Sequence, residues 1–200
     1  MIFATNNQGK LKEIREILSN YEILSLADVS VSVDVLEDQD SFLGNATKKA
    51  KEVYSITKQA SLADDSGLCI DSLDDWPGVM THRFLGEDAT DEERNLAIIE
   101  KCQGLSNRSA KVVCQLVYYD SLEKPITGTG ILEGRIVSCP RGEHGFGFDS
   151  IFELPNGKTL AELTFDEKNQ CSARSLAAKD LKQKLDTIFL NDGVSEVNHK

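Results

Sequence analysis

The sequence predicts an α/β fold built around a mixed β-sheet, not regularly alternating βαβ units. Three observations predict this fold. An apolar run at residues 2–5 leads into a helically spaced pattern. Two segments rich in β-branched and aromatic residues, 110–119 and 126–137, are joined by a short turn at 120–125, which is typical of an antiparallel pair. A long helically spaced segment, 172–190, follows near the end of the chain.

The N-terminal region is expected to form a strand, a polar turn and a helix. Residues 2–5 predict a short buried strand, and apolar residues with helical spacing begin just after Lys10. Residues 21–26 predict a second strand. Over 29–35, valine alternates with serine and aspartate, which predicts a further strand or an extended edge.

A capped helix and an interrupted apolar segment are expected next. Ser41 precedes helically spaced apolar residues, as an N-cap does. Residues 60–63 and 68–70 are short apolar runs on either side of an Asp-Asp-Ser-Gly sequence. We expect two strands, or one bent strand, around a tight acidic turn at 64–67, because these four residue types favour turns.

Two capping boxes predict further helix starts. Thr90 with Glu93 predicts a helix over 91–102, and Thr164 with Glu167 is a second match. Between them we expect a glycine-rich loop at residues 140–147 and a short strand at residues 151–152.

The chain is expected to finish as a long helix and a frayed end. The helix over 172–190 should turn Leu176, Leu181, Leu185 and Ile188 inward. Residues 191–200 are expected to be a frayed tail. No repeat, linker or low-complexity block divides the sequence, so residues 1–200 are expected to form one domain.

Composition predicts a soluble cytoplasmic protein. No apolar run approaches the roughly 18 residues of a membrane span, and the start lacks a basic segment followed by an apolar one. The five cysteines are scattered and never form a C-x-x-C pair, which argues against a disulfide framework and a zinc site. We therefore expect no membrane partner and a reducing compartment.

The net charge of −11 limits the partners further. A protein this acidic lacks a general basic surface, so nucleic acid is not an expected partner. A small polyanion can still bind where a few cations and a metal ion make the field locally positive.

The first candidate site is the loop between the opening strand and the first helix. It consists of Thr5, Asn6, Asn7, Gln8, Gly9 and Lys10. Unpaired N–H groups at a helix start favour anions, and Lys10 adds a positive charge there. The segment is not a Walker A sequence. It indicates a phosphate cradle, and an ordinary polar turn with a capping side chain is the alternative.

The second candidate is the acidic pair Asp64–Asp65. Two adjacent carboxylates between apolar runs repel each other and lose hydration, and a divalent cation relieves both costs. Oxygen ligands favour Mg²⁺ or Mn²⁺ over zinc. The alternative is a solvated turn.

Other charged segments can supply further ligands. One of the carboxylates before the Ser41 helix can complete a metal shell, although such runs are usually solvated: Glu37, Asp38 and Asp40. On the helix itself, one of three lysines can face a cleft while the others point to water: Lys48, Lys49 and Lys51.

The glycine-rich loop ends in Gly145-Phe146-Gly147-Phe148-Asp149. Its phenylalanines can stack on a base, and Asp149 can fix a base edge or a ribose. A β-bulge with two core phenylalanines is the alternative. Lys168 and Arg174 can hold phosphate or read a base edge, or they are surface charges.

Several reaction classes find no support. The sequence contains no G-x-S-x-G, H-E-x-x-H or G-x-G-x-x-G motif, and its three histidines form no triad with a serine or cysteine motif. Acyl transfer, zinc hydrolysis and a dinucleotide fingerprint are therefore not predicted.

Taken together, the segments resemble one family over 2–185, in its order and spacing. They are Thr5 to Lys10, Phe42 with Asn45-Ala46 and Lys49-Ala50, Ala63 to Leu68, Pro77-Gly78-Val79, Gly86-Glu87-Asp88-Ala89-Thr90, Gly145 to Asp149, Ala161-Glu162-Leu163, Lys168, and Ser172-x-Arg174. The family is the inosine/xanthosine triphosphate pyrophosphatases, also called Ham1-like or nonstandard purine NTP pyrophosphatases.

The resemblance implies an activity and a setting for it. The expected reaction is hydrolysis of ITP, dITP or XTP to the monophosphate and pyrophosphate, with Mg²⁺ as cofactor. The resemblance also implies a homodimer, and an elongated sheet flanked by helices in two lobes with the site in the cleft between them.

The resemblance also implies roles for individual residues. Asp65 would be the catalytic base or a metal ligand, with Glu37 helping to place the metal. The phosphates would be held by the loop from Thr5 to Lys10 and by Lys49. Ser66 would contact the substrate. The base and sugar would be contacted by Phe146, Gly147, Phe148, Asp149, Lys168, Ala173 and Arg174.

This chain departs from the family pattern where the base would lie. The family usually reads Ser-His-Arg where this chain has Ser172-Ala173-Arg174, so an imidazole is missing. Phe148 stands where tyrosine is frequent, Ser150 where proline is frequent, and Met80 replaces a common aromatic residue. Two alternatives therefore remain: a nucleotide-binding module without turnover, and a phosphohydrolase of the same fold with another base preference.

Overall fold

The computed structural model describes residues 1–86, 88–121 and 124–195, and in them a mixed seven-stranded sheet carries helices on both faces. The strands are β1 (Ile2–Phe3), β2 (Leu24–Ser25), β3 (Ser61–Ile70), β4 (Trp76–Pro77), β5 (Ser109–Tyr119), β6 (Ile126–Ile136) and β7 (Phe152–Glu153). The helices are α1 (Gln8–Ile17), α2 (Phe42–Thr57), α3 (Asp91–Lys101), α4 (Phe165–Cys171) and α5 (Ala173–Ser195).

The sheet order is β2-β1-β3-β5-β6-β7, and β4 pairs with the far end of β3. β1 runs parallel to β2 and β3, whereas every other pairing is antiparallel. The predicted mixed α/β sheet with flanking helices is confirmed. The long β5–β6 pair is also confirmed, although residues 122–123 of its turn lie outside the described part of the chain.

β3 is the central strand, and every one of its residues is buried. Along a strand, successive side chains alternate between the two faces. Ala63 therefore packs with Ala46 and Ala50 of α2, while Leu62 and Leu68 lie in the main core, to which α5 contributes Leu181.

Local capping signals were reliable. The Ser41 side chain accepts the Gly44 N–H at 3.0 Å, and α2 begins at Phe42. The capping boxes at Thr90 and Thr164 both form, and they start α3 and α4. These ends are determined by neighbouring residues alone, which explains why the sequence predicts them.

The prediction of a turn at 64–67 is wrong. β3 is one unbroken strand, because its backbone pairs with β5 along its whole length and with β1 and β4 at its two ends. These pairings override the turn preference of an Asp-Asp-Ser-Gly sequence.

Of the strand or extended edge predicted over 29–35, the strand is wrong, since the backbone there is irregular. Val29, Val31 and Val33 pack against the small cluster formed by Ile2, Leu26 and Val53. The alternation of valine with polar residues therefore reflects a loop with one apolar side. It does not reflect a strand, which would form a ladder of backbone hydrogen bonds. The preceding strand is shorter than expected, Leu24–Ser25.

The last helix departs from expectation at its end. It continues to Ser195, so residues 191–195 are helical, and the remainder of the expected tail lies outside the described residues. Leu181 and Leu185 face inward as predicted, but Ile188 is 38% exposed. No helix in the described residues is long and apolar enough to cross a membrane.

Candidate active site

Asp64 lies on the face of β3 that meets α1 and α5. Its carboxylate is buried and lies 3.0 Å from the Lys10 ammonium and 3.2 Å from Nε of Arg174. Burial alone would raise the pKa of Asp64, but the charges of Lys10, Arg174 and Lys49 outweigh it and hold the pKa well below its usual range. Asp64 is therefore a permanently ionised counter-charge.

Asp65 points to the opposite face, towards α2. The Asn45 amide donates to its Oδ2 at 2.9 Å, and the Lys49 ammonium lies 3.9 Å from its Oδ1. Burial, with added repulsion from Glu37 and Asp64, raises the pKa of Asp65 to about 6 despite Lys49 and Asn45. Asp65 is thus the carboxylate whose proton can move near neutral pH.

Glu37 approaches the same lysine from the irregular segment before α2. Its Oε1 accepts from Lys49 at 2.6 Å, and its Oε2 lies 3.3 Å from the Arg83 guanidinium, which also donates to the Glu37 backbone oxygen. Burial lowers the pKa of Lys49, but the surrounding carboxylates outweigh it and raise the pKa, so the ammonium stays charged.

The carboxylates of Glu37 and Asp65 fit a hard divalent cation. They converge on one positive charge, the Lys49 ammonium, and both donors are oxygens. Among the described residues no group of three or more histidines, cysteines or acids gathers as a complete cage. Two carboxylates suit Mg²⁺, which keeps several waters and completes its shell with substrate phosphates.

A polar cavity lies between Asp64 and Glu37. Five residues predicted to bind phosphate or metal line it: Thr5, Asn6, Lys10, Glu37 and Lys49. The other predicted phosphate-binding residues, Asn7, Gln8 and Gly9, do not. The Asn7 side chain instead caps α1, accepting the Lys10 N–H at 3.1 Å.

A second cavity, partly open to solvent, lies on the Ser66 side of β3. All of the residues predicted to contact base and sugar line it: Phe146, Gly147, Phe148, Asp149, Lys168, Ala173 and Arg174. His82 and Cys114 line it as well. The cavity combines aromatic rings with a few polar groups, as ligand pockets do.

A buried chain of charges lies behind this second cavity. Arg174 pairs with Glu13 at 2.6 Å and donates to Ser66 Oγ at 3.2 Å. Lys168 lies 3.1 Å from Glu13 and 2.6 Å from Asp149, and its ammonium stands 4.3 Å from the centre of the Phe146 ring. Asp149 is therefore held by the protein itself, and it also accepts the Phe146 N–H.

The two predicted loops meet at Gly9. A Cβ built on Gly9 would lie 2.7 Å from the Phe146 ring, so only glycine allows this approach. Gly9 thereby couples the start of α1 to the aromatic cavity, a role that its position in a polar turn did not predict.

Sequence reasoning missed four residues: Glu13, Asn45, His82 and Arg83. Glu13 was detectable, since it lies one helical turn after Lys10 and so faces the same way. Asn45 belongs to a segment that carries the family resemblance, without an expected role. No sequence signal placed Arg83 against Glu37 or His82 at the second cavity.

Comparison with known proteins decides the family. The model of the Ham1 family matches residues 1–184. The chain belongs to the Ham1 family. The resemblance seen in the sequence is therefore confirmed over nearly the whole chain.

Similar proteins include two bacterial enzymes named dITP/XTP pyrophosphatase. The Exiguobacterium sp. protein is 40% identical over 188 residues, and the Bacillus subtilis protein is 40% identical over 190 residues. In both cases the match covers 92% of this chain and 96% of the relative.

Solved structures of Ham1 proteins share the fold. The Staphylococcus aureus Ham1 protein superposes with a TM-score of 0.85 at 30% identity, covering 94% of this chain and 98% of that one. A HAM1 protein from Coxiella burnetii gives 0.85 at 37% identity, covering 93% and 98%.

Proposed function

We propose that this Ham1-family protein hydrolyses nonstandard purine nucleoside triphosphates, such as dITP, ITP and XTP, to the monophosphate and pyrophosphate. The observation that carries the proposal is the position of Asp65 and Glu37 around Lys49, which lines a polar cavity together with Lys10, while an aromatic cavity lies on the Ser66 side of the same strand. The names of the similar bacterial enzymes support the same reaction.

The polar cavity suits the triphosphate. Lys10 and Lys49 supply two positive charges there, and Thr5 and Asn6 line the cavity beside them. Together these groups stabilise the negative charge that builds up on the phosphate oxygens during the reaction. Mg²⁺, or Mn²⁺ in its place, held by Glu37 and Asp65, would neutralise further phosphate charge and help this acidic protein bind a polyanion.

Asp65 has the properties of the residue that orients or deprotonates the attacking water. Its raised pKa lies near the pH at which a carboxylate is an effective general base. The Asn45 amide and the Ser66 N–H each hydrogen-bond one carboxylate oxygen, which holds the group in one orientation.

The aromatic cavity suits the base. Phe146 and Phe148 offer ring surfaces, and Lys168 and Arg174 offer donors that lie against acidic partners. Because the side chain of Ala173 is a methyl group and cannot hydrogen-bond, other residues on the cavity wall must determine the base preference.

One assay tests the proposal. The protein is incubated with Mg²⁺ and each of ITP, XTP, dITP, ATP, GTP and dUTP, and pyrophosphate and phosphate are quantified separately. Pyrophosphate release from ITP, XTP and dITP, much faster than from ATP, is expected. Phosphate as the product would contradict the reaction, and equal rates for ATP and ITP would contradict the substrate class.

The same proposal includes a homodimer in the cytoplasm. Sedimentation equilibrium should give twice the 22.1 kDa mass of the chain. All five cysteines are free thiols, which fits a reducing compartment. Fractionation of the cells that make the protein tests the location.

A further inference from the structure

His82 is a polar residue at the aromatic cavity that the proposed mechanism does not use. It lines the cavity together with Phe148, Ala173 and Arg174. Ala173 presents only a methyl group there. Among the residues that the structure describes, none makes a hydrogen bond to the His82 ring, so its polar atoms remain available to a ligand.

The backbone on both sides of His82 is anchored. Thr81 is buried, and its hydroxyl accepts the Leu68 N–H of β3 at 2.9 Å and donates to the Gly78 oxygen at 2.6 Å. Arg83 donates to the Val79 oxygen at 2.9 Å and pairs with Glu37. His82 therefore sits on a fixed backbone, although its own side chain is free.

Gly67 explains how the segment comes so close to β3. A Cβ on Gly67 would lie 2.5 Å from both the Gly78 oxygen and the Thr81 hydroxyl. Gly67 directly follows Ser66, which lines the same cavity. The segment from Gly78 to His82 therefore packs directly against β3, the strand that carries Asp64 and Asp65.

The charge state of the ring suits hydrogen bonding to a neutral base. The groups facing it from neighbouring elements are Lys10, Glu37, Asp91 and Arg94. His82 is exposed to solvent as a residue, yet the protein atoms packed around it, and then the charge of Lys10, lower the pKa of its ring to about 4. A neutral imidazole has one N–H donor and one acceptor nitrogen.

We propose that His82 is a specificity-determining residue that donates a hydrogen bond to the 6-keto edge of the purine, from a wall of the cavity where Ala173 supplies no polar atom. The inference rests on the proposed function and names the part of the site that reads the base. A keto purine presents oxygen and N7 as acceptors on this edge, whereas adenine presents an amino donor in place of the oxygen. An imidazole that presents its N–H to this edge pairs with the oxygen of hypoxanthine, whereas adenine would need the acceptor nitrogen in that place.

The test uses His82→Ala and His82→Gln, with His144→Ala as the matched control. Glutamine keeps a donor, and His144 lies in the neighbouring glycine-rich loop without lining the aromatic cavity. For each protein, kcat and KM are measured with ITP and ATP, and the affinities for IMP and AMP are measured by calorimetry. Melting curves verify that each variant is folded.

For His82→Ala we expect kcat/KM on ITP to fall about tenfold, because one hydrogen bond is lost. Most of the loss should appear in KM and in the affinity for IMP. The kcat/KM for ATP and the affinity for AMP should change little, so the ratio of kcat/KM for ITP to that for ATP should decrease. His82→Gln should recover part of the loss, and His144→Ala should behave as wild type.

Two results would overturn the inference. One is a His82→Ala protein whose ITP kinetics and IMP affinity stay within about twofold of wild type, less than one lost hydrogen bond predicts. The other is a His82→Ala protein whose kcat/KM falls equally for ITP and ATP, where neither His82→Gln nor an added Ala173→His substitution restores it. His82 would then act through packing and not through a hydrogen bond to the base. If the wild type releases no pyrophosphate, the proposed function fails, and the IMP and AMP affinities still decide the role of His82.

Discussion

Asp64 and Asp65 are neighbours in sequence, but their carboxylates lie on opposite faces of β3 and have opposite electrostatic environments. The Asp64 carboxylate pairs with Lys10 and Arg174, whereas the Asp65 carboxylate accepts a hydrogen bond from Asn45 and lies 3.9 Å from the Lys49 ammonium. Because the strand does not turn, one carboxylate is permanently charged and the other titrates near pH 6. Under the proposed function, Asp64 is a structural counter-charge and Asp65 is the acid–base group.

Replacement of Asp65 by asparagine should abolish most of the turnover while preserving the fold. The amide keeps the size of the carboxylate but cannot accept a proton, and loss of a general base typically costs about 10²–10⁴-fold in rate. Pyrophosphate release from ITP measures the effect. Asp71→Asn, an exposed change just beyond the end of the same strand, should leave the rate unaltered. Turnover of Asp65→Asn close to wild type would remove Asp65 from the mechanism.

In the metal-free protein, the Asp65 carboxyl should titrate near pH 6, above its ordinary value of 3.8. The folded state then binds a proton more tightly than the unfolded state does, so this group's contribution to the free energy of unfolding falls as pH rises between these two values. Carbon NMR of labelled aspartate, assigned with Asp65→Asn, measures the midpoint. Added Mg²⁺ should lower it, since a cation favours the carboxylate. A midpoint near 4 without metal would contradict the prediction.

Replacement of Asp64 by asparagine should reduce stability. It removes one counter-charge from Lys10 and Arg174 at a buried site, a change that costs about 3 kcal/mol when a buried pair is broken. Urea unfolding measures the free energy. Asp75→Asn, which breaks an exposed pair with Lys111, should cost less than about 1 kcal/mol. Equal losses in the two variants would mean that the buried pairing contributes nothing special.

Sequence patterns predicted helices and strands well where neighbouring residues determine them, and less well where distant residues do. The capping boxes at Thr90 and Thr164, and the long β5–β6 pair, depend on neighbouring residues, and they appear as expected. The errors at 29–35 and 64–67 have a tertiary cause. Whether a polar or alternating segment becomes strand or loop depends on which backbone lies beside it, and partners distant in sequence provide that backbone.

The same limit applies to the site. Residue types with obvious chemistry, such as Asp65, Lys10 and Lys49, were found as candidates from local sequence and family resemblance. Residues that act through distant contacts were not: Glu13 joins Arg174 to Lys168, and His82 reaches the cavity from a separate segment.

Replacement of Gly9 by alanine should weaken nucleotide binding without unfolding the protein. The new Cβ would lie 2.7 Å from the Phe146 ring, so the ring must move, while alanine itself favours a helix over glycine by roughly 0.5–1 kcal/mol. We expect KM for ITP to rise about tenfold, which corresponds to a loss of about 1.4 kcal/mol of binding free energy. The melting temperature should change little. Glu16→Ala, an exposed change on the same helix, controls for helix propensity. If Gly9→Ala binds IMP as tightly as wild type, the contact between α1 and Phe146 does not shape the base pocket.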